Sequence, residues 1–233
     1  MDDLFKRITI ADMNGDLARN IVSIRESQDL YDDLSDNHDD WQLAQKVEDD
    51  VKPPPFQSRT PIIDRPFENA EWFNAIEYPF RNWKASRFSD GTFGVWYGSA
   101  NVETTVYETV HHWYHGLLKD AGFIKDGVCI ERKVYWVHCK AALLDFRPLI
   151  QDYPDLVNSH DYGFTQAVGA RLHHEGHPGL ATMSARYAGE NFAVLNQAVL
   201  SNPKAACYLS YRLMGSRVEV ERQQGEPWFQ IEI

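Results

Sequence analysis

Apolar residues recur at helical spacing in the middle of the chain, and their pattern predicts a helix with one buried face. The apolar face consists of Val102, Val106, Val110, Trp113 and Leu117. Ser99 or Asn101 is a candidate N-cap of this helix, and Gly122 is its candidate end. A second helix is predicted over roughly Tyr162–His174, where Gly176 would end it.

Short apolar and aromatic runs predict the strands. These runs are Phe93–Gly98, Lys133–Cys139, Ala141–Phe146, Leu180–Met183, Asn191–Leu195, Ala206–Leu213, Arg217–Glu221 and Trp228–Ile233. Helices do not alternate regularly with these strands, and most strands follow one another late in the chain. This order favours an α+β fold with a mixed β-sheet core over a doubly wound parallel sheet.

The first 60 residues differ in composition from the rest of the chain. They carry 14 Asp and Glu against 7 Lys and Arg. Helical patterns around Leu17–Gln28 and Trp41–Val51 flank the acidic run Asp29–Asp40, and a proline-rich run then ends the second pattern. We predict an acidic, helical N-terminal element with a Pro-rich connector over residues 1–60, and one main domain over residues 61–233.

The charge and the cysteines exclude several classes of protein. The net charge is −11 and no Lys/Arg run supplies a basic face, which argues against direct binding of nucleic acid. Three cysteines without a C-x-x-C pair predict reduced thiols, not a disulfide framework or a zinc ribbon. No apolar stretch is long enough to span a membrane and no secretory signal precedes the domain, so we expect a cytoplasmic protein.

A histidine-rich face of the first helix raises the question of a metal site. Glu108 and His111 have the spacing of carboxylate-bridged metal sites, and His115 lies one turn further on. No second Glu-x-x-His and no Cys/His set accompanies them, so we predict no metal site here. The sequence also lacks a P-loop, a G-x-G-x-x-G dinucleotide motif and a G-x-S-x-G elbow, so nucleotide chemistry would need another kind of site.

An ordered set of short motifs carries the strongest functional signal. The motifs are Pro79-Phe80-Arg81, Ser86–Gly91 (SRFSDG), Val95–Gly98 (VWYG), Glu103–Glu108 (ETTVYE), Gln166–Gly169 (QAVG), Met183–Arg186 (MSAR) and Gly189–Phe192 (GENF). In this order they resemble the RES domain, over roughly residues 65–222.

The resemblance implies both a fold and an activity. RES proteins are the toxic partners of bacterial toxin–antitoxin pairs, and their fold is similar to that of ADP-ribosyltransferases. They consume NAD⁺ at the bond between nicotinamide and ribose. The resemblance implies catalytic roles for Arg87, Tyr97 and Glu108, and substrate-binding roles for Arg81, Ser184 and Asn191.

Physical chemistry is consistent with these roles. Breaking the nicotinamide–ribose bond builds positive charge near C1′, which a carboxylate such as Glu108 can stabilise. The arginines can bind pyrophosphate or free phosphate through their forked, permanently charged groups. Tyr97 can stack on a ring or donate its hydroxyl. Ser184 and Asn191 can hold ribose or carboxamide.

The acceptor and the partners remain open at this stage. No cofactor is implied beyond NAD⁺ as substrate, and inorganic phosphate is a candidate co-substrate. Alternatives are a protein ADP-ribosyltransferase, a metal-dependent hydrolase built on Glu108, His111 and His115, and a non-enzymatic interaction module using residues 1–60. The family implies an Xre-like antitoxin that occludes the active site, and a homo-oligomer is compatible with the sequence.

Overall fold

A computed structural model describes residues 1–23, 70–223 and 225–233. The described chain divides into two units. Unit 1 consists of Met1–Arg19, residues 70–105 and Tyr135–Lys204. Unit 2 consists of residues 20–23, Val106–Val134 and the described part of Ala205–Ile233.

The described α-helices are short and few. They are α1 (Asp2–Arg7), α2 (Tyr78–Arg81), α3 (Val102–Trp113) and α4 (Gly163–His174). A π-helical turn, Phe73–Glu77, precedes α2, and another, Tyr114–Leu118, follows α3. Asn101 caps α3, because its Oδ1 accepts a hydrogen bond of 2.8 Å from the Thr104 backbone. The structure thus selects Asn101 from the two predicted caps.

Ten strands complete the described part of the chain. They are β1 (Thr9–Val22), β2 (Ala85–Ser86), β3 (Ser89–Asp90), β4 (Trp96–Ser99), β5 (Cys129–Asp145), β6 (Gly179–Met183), β7 (Glu190–Val194), β8 (Leu200–Met214), β9 (Arg217–Gln223) and β10 (Glu226–Glu232). Every predicted strand region from Phe93 onward therefore contains a strand.

In unit 1 the sheet runs in the order β1-β4-β7-β6-β5. The β4–β7 and β6–β7 pairs are antiparallel, whereas β5 and β6 run parallel, with Leu144 opposite Leu180. Apolar side chains from this sheet, from α1 and from α4 form one cluster, with Phe88, Phe146 and Leu172 at most 1% exposed. The predicted α+β class with a mixed sheet is confirmed.

In unit 2 the sheet is built from long strands. The backbone N–H of Leu213 on β8 donates to the Val128 carbonyl that precedes β5, over 2.9 Å. The pairs β8–β9 and β9–β10 are antiparallel. The part of α3 from Val106 onward belongs to the same unit.

The prediction of a helix beginning at Leu17 is wrong over the described residues. Residues Leu17–Val22 continue strand β1, in which Ala18 pairs with Ser99 of β4. Leu17 and Ala18 are at most 1% exposed, and strand pairing satisfies their backbone groups, so tertiary packing overrides the local pattern. The remainder of this pattern, the pattern Trp41–Val51, the acidic run and the Pro-rich connector lie outside the described residues.

One further prediction needs adjustment. The two strands predicted over Lys133–Cys139 and Ala141–Phe146 form one long strand, β5, with inward and outward residues alternating along most of its length. Met1–Arg19, the first part of the predicted N-terminal element, groups with unit 1. The predicted boundary at residue 60 lies outside the described residues.

The apolar face of α3 is confirmed up to Trp113 and then shifts by one residue. Val106, Val110 and Trp113 are at most 4% exposed, but the next buried residue is Leu118, and the predicted Leu117 is partly exposed. The π-helical turn explains the shift, because its wider turn inserts one residue into the helical repeat.

No helix in the described ranges is long and apolar enough to cross a membrane. All three cysteines are free thiols, as predicted.

Candidate active site

A two-residue turn presents Arg87 in unit 1. Strands β2 and β3 pair through Ser86 and Ser89, which leaves Arg87 and Phe88 as the turn between them. Phe88 is buried in the apolar cluster and anchors the turn, while the neighbouring Arg87 side chain stays partly exposed. The motif SRFSDG thus forms a small hairpin with Arg87 in its turn.

The hydroxyl of Tyr97 ties this turn to β4. It lies 2.9 Å from Ser86 Oγ and accepts a 2.9 Å hydrogen bond from the Phe88 backbone N–H. The two partners, Ser86 and Phe88, are the residues immediately before and after Arg87. Burial raises the pKa of Tyr97 from 10.0 to about 12, so the phenol stays protonated near neutral pH and keeps its donor.

Helix α4 supports the turn from the other side. Gln166 Nε2 donates a 3.0 Å hydrogen bond to the carbonyl of Ser86. Gly169 packs directly on the turn, since a Cβ added there would lie 1.9 Å from the Phe88 carbonyl oxygen. The motif QAVG therefore contributes an amide donor and a residue without a side chain, and both position the Arg87 turn.

The guanidinium of Arg87 has only neutral described partners. Its Nη1 donates a 2.7 Å hydrogen bond to the carbonyl of Asn158, and its Cζ lies 4.6 Å from the centre of the Tyr162 ring. None of the described carboxylates pairs with it. An arginine held in this way keeps its charge available for an anionic ligand.

Arg186 reaches the same loop from a distant part of the sequence. Its Nη2 donates a 2.5 Å hydrogen bond to the carbonyl of Ser159, the residue after the Asn158 acceptor of Arg87. Its Nε is buried and has no hydrogen-bond partner in the described structure. The two arginines therefore bind consecutive carbonyls of one loop, and Arg186 joins the candidate site although sequence reasoning gave it no role.

Ser184 shapes the segment that carries Arg186. Its Oγ accepts hydrogen bonds from the backbone N–H groups of Arg186 and Tyr187, at 3.0 and 3.1 Å. Its own N–H donates to the Gly189 carbonyl, which closes the loop between β6 and β7. The predicted role of Ser184 in binding substrate stays a prediction.

Asn191 lies on β7 beside β4. Its Oδ1 accepts a 2.5 Å hydrogen bond from Ser99 Oγ, and Ser99 is 3% exposed. On its other side β6 places Thr182 opposite Asn191, and the Thr182 hydroxyl is buried without a hydrogen-bond partner among the described residues. The strand pairing thus places an amide and two hydroxyls side by side, and the predicted role of Asn191 stays a prediction.

The described contacts of Arg81 do not include the residues around the Arg87 turn. It ends α2, its side chain is 65% exposed, and its Nε donates a 3.0 Å hydrogen bond to Glu77 one turn earlier. No described contact joins it to Arg87 or Tyr97. Its predicted role in binding pyrophosphate therefore has no structural support beyond its accessibility.

Glu108 lies on α3 within unit 2 and is partly exposed. Nearby, the rings of His111 and His115 have their centres 4.5 Å apart. Across the described ranges, no group of three or more His, Cys, Asp or Glu side chains is arranged to hold a metal ion. The catalytic role of Glu108 remains an implication of the motif ETTVYE.

The arrangement in unit 1 suits a polar, negatively charged ligand. Two guanidiniums, a protonated phenol and an amide meet around the Arg87 turn and the loop at residues 158–159. Forked donors of this kind bind phosphate groups through paired hydrogen bonds.

Comparison with known proteins identifies the family. The RES domain profile matches residues 63–214, which is more than half of the chain. No curated protein matches. Among solved structures, the M. tuberculosis MbcT–MbcA toxin–antitoxin complex is similar, with 12% identity, 88% of this chain and 90% of that chain covered, and a TM-score of 0.45. On the profile match, this chain belongs to the RES domain family.

Proposed function

We propose that this chain cleaves NAD⁺ at the bond between nicotinamide and ribose. The observation that carries the proposal is the convergence of Arg87 and Arg186 on the carbonyls of Asn158 and Ser159, within the span matched by the RES domain. These side chains lie 99 positions apart in the sequence, and both belong to motifs of the family. Two arginines without described carboxylate partners form a suitable site for the pyrophosphate of NAD⁺.

In the proposed reaction the C1′–N bond breaks and nicotinamide leaves as a neutral ring with the bonding electron pair. Positive charge develops on the ribose, and Glu108 stabilises it. An oxygen of phosphate or water then bonds to C1′, and with water as acceptor one proton is released. No general acid is needed for the leaving group, so a single carboxylate is sufficient.

We propose further that the cleavage makes the chain a toxin that depletes cellular NAD⁺. Such an enzyme needs an inhibitor in the cell that produces it. The family resemblance supports an Xre-like antitoxin that covers the active site. Co-expression with the neighbouring gene product, followed by NAD⁺ measurement in the cells, tests this role.

A proton NMR time course of purified protein with NAD⁺ tests the chemistry. It is run with and without inorganic phosphate. Nicotinamide that appears only with phosphate identifies a phosphorylase, whereas appearance in both samples identifies a hydrolase. Intact NAD⁺ in both samples, and in a third sample containing cell lysate as a source of protein acceptors, contradicts the proposal.

Variants connect the reaction to the residues. Glu108→Gln keeps the size of the side chain and removes its charge, so we expect the rate to fall roughly 100-fold or more. Glu219→Gln, on β9, is the matched control and should leave the rate unchanged. Circular dichroism of both variants separates lost chemistry from lost fold.

A further inference from the structure

Unit 2 contains a buried arginine that the proposed reaction does not use. Arg132 is 7% exposed. Its Nε donates a 2.9 Å hydrogen bond to Asn20 Oδ1, and its Nη2 donates a 3.1 Å hydrogen bond to the Asn20 carbonyl. The ring of Tyr211 lies 5.9 Å from its Cζ. All these partners are neutral.

The charge of Arg132 is therefore uncompensated within the described structure. None of the described carboxylates forms an ion pair with it, and its remaining side-chain hydrogen-bond partner, Tyr211, is a neutral phenol. Burial lowers the pKa of Arg132, as expected where a charge has lost water without gaining a counter-charge. Burying such a charge costs free energy that a bound anion would recover.

The position of Arg132 along β5 adds to the anomaly. Ile130, Arg132 and Val134 alternate along the strand, and all three are buried. Arg132 therefore occupies a core-facing position, where a strand of this kind normally carries an apolar residue. The two adjacent inward residues are an isoleucine and a valine.

Arg132 lines a cavity of 140 Å³. The other lining residues are Val22, Thr109, His112, Trp113, Leu117 and Ile130. Trp113 and Ile130 are each 4% exposed, while His112 is exposed and forms the rim. The cavity thus has apolar walls, a solvent-facing rim and one buried cation.

We propose that this cavity binds a small apolar monocarboxylate, with the carboxylate paired to Arg132 and the apolar part against Trp113, Leu117 and Ile130. The size fits, since a cavity of about 150 Å³ accommodates one benzene ring. A larger anion such as a nucleotide does not fit this volume. This proposal does not depend on the reaction proposed for NAD⁺.

Benzoate is a suitable probe, and benzyl alcohol is its uncharged counterpart. Binding is followed without NAD⁺ in ¹H–¹⁵N spectra, at the side-chain N–H signals of Trp113 and Arg132. We expect benzoate to bind roughly tenfold or more tightly than benzyl alcohol, because a charge-assisted bond to arginine is gained. Equal affinity for the two probes, or no shift of these signals, overturns the proposal.

Two variants locate the site. Leu117→Trp fills the cavity while leaving Arg132 in place, so benzoate binding should be lost. Ile124→Trp is the matched control, because Ile124 is 49% exposed and is not part of the lining. Unchanged benzoate binding in a folded Leu117→Trp variant contradicts the proposal.

Arg132→Met tests the charge itself. It retains the length of the side chain, so benzoate should lose its advantage while benzyl alcohol binds as before. If benzoate keeps its advantage in this variant, the carboxylate does not pair with Arg132. If this variant does not fold, the comparison of Leu117→Trp with Ile124→Trp tests the proposal.

Discussion

The arginines of the two units are held in contrasting surroundings. In unit 1, Arg87 and Arg186 bind consecutive backbone carbonyls, and hydroxyls and amides lie around them. In unit 2, Arg132 contacts the neutral residues Asn20 and Tyr211 and lines a cavity whose walls are mainly apolar. None of these three arginines forms an ion pair with a described carboxylate.

The difference concerns the ligand that each region can recognise. Several donors around two positive charges suit a large polar anion, because each phosphate oxygen finds a partner. One positive charge among apolar walls suits a small ligand with one charged end. An arginine without a carboxylate partner is thus the basis of both proposed anion sites, and the neighbouring residues determine the size and polarity of the anion proposed for each.

The largest effect is expected from closing the space under the Arg87 turn. Gly169→Ala places a Cβ 1.9 Å from the Phe88 carbonyl oxygen, so the backbone must move. We expect the free energy of unfolding to fall by about 3 kcal/mol or more. In unit 2, Gly116→Ala meets no atom within 4 Å and should stabilise the protein by roughly 0.5 kcal/mol. Urea unfolding measures both, and equal effects would show that α4 does not support the turn.

The next largest effect concerns Arg87 itself. Arg87→Lys keeps the charge but loses the forked geometry and the contact with Tyr162, so we expect NAD⁺ cleavage to fall roughly 100-fold. Arg217→Lys is the matched control in unit 2, since that side chain is 44% exposed. Initial rates of nicotinamide release measure both variants. A folded Arg87→Lys variant with the original rate would remove this arginine from the proposed site.

An intermediate effect is expected from the protonated phenol of unit 1. The pKa of Tyr97 is about 12 in the folded protein against 10.0 ordinarily, so the folded state holds the proton more tightly. Below pH 10 both states are protonated and the contribution to stability is complete. Between pH 10 and 12 only the unfolded state ionises, so stability falls as pH rises.

Tyr97→Phe removes this contribution. Its free energy of unfolding should decline less than that of the original protein between pH 10 and 12, measured by urea unfolding. Tyr187→Phe, in which an exposed tyrosine is changed, should decline like the original protein. Identical slopes for all three proteins would show that the Tyr97 hydroxyl is not shielded from water.

The smallest effect is expected at Arg81. Its pair with Glu77 is exposed, so Arg81→Ala should change the free energy of unfolding by less than about 0.5 kcal/mol. If Arg81 binds pyrophosphate as the family resemblance implies, the Arg81→Ala variant has a higher KM for NAD⁺ and an unchanged kcat. An unchanged KM would show that Arg81 does not bind pyrophosphate, and Arg87 and Arg186 would remain as the proposed phosphate-binding arginines.

Much of the fold could be predicted from the sequence because periodicity reports burial directly. Helices α3 and α4 begin close to the expected residues, since Asn101 caps the first, and α4 also ends as expected, just before Gly176 with φ +76°. The predicted end of the first helix at Gly122 lies beyond both α3 and the π-helical turn that follows it. The helical prediction from Leu17 onward fails because these residues form strand β1 through partners distant in the sequence, such as Ser99 opposite Ala18. Local pattern does not contain that information.

The candidate site shows the same division. Arg87 and Tyr97 could be placed together because they lie ten residues apart in recognisable motifs. The role of Arg186 depends on a loop 27 residues earlier, which no local signal identifies. Arg132 is visible in the sequence as a charged residue at an inward-facing strand position between Ile130 and Val134. The cavity beside it is visible only in the structure.

The π-helical turn Tyr114–Leu118 has a consequence for comparing this chain with other sequences. A π turn is equivalent to one residue inserted into a continuous helix. A homologue with an ordinary helix here should therefore be one residue shorter, with its gap inside the helix and not in the loop that follows. An alignment that forbids gaps in helices would pair Leu117 with the homologue's buried leucine and misplace every residue up to the next strand.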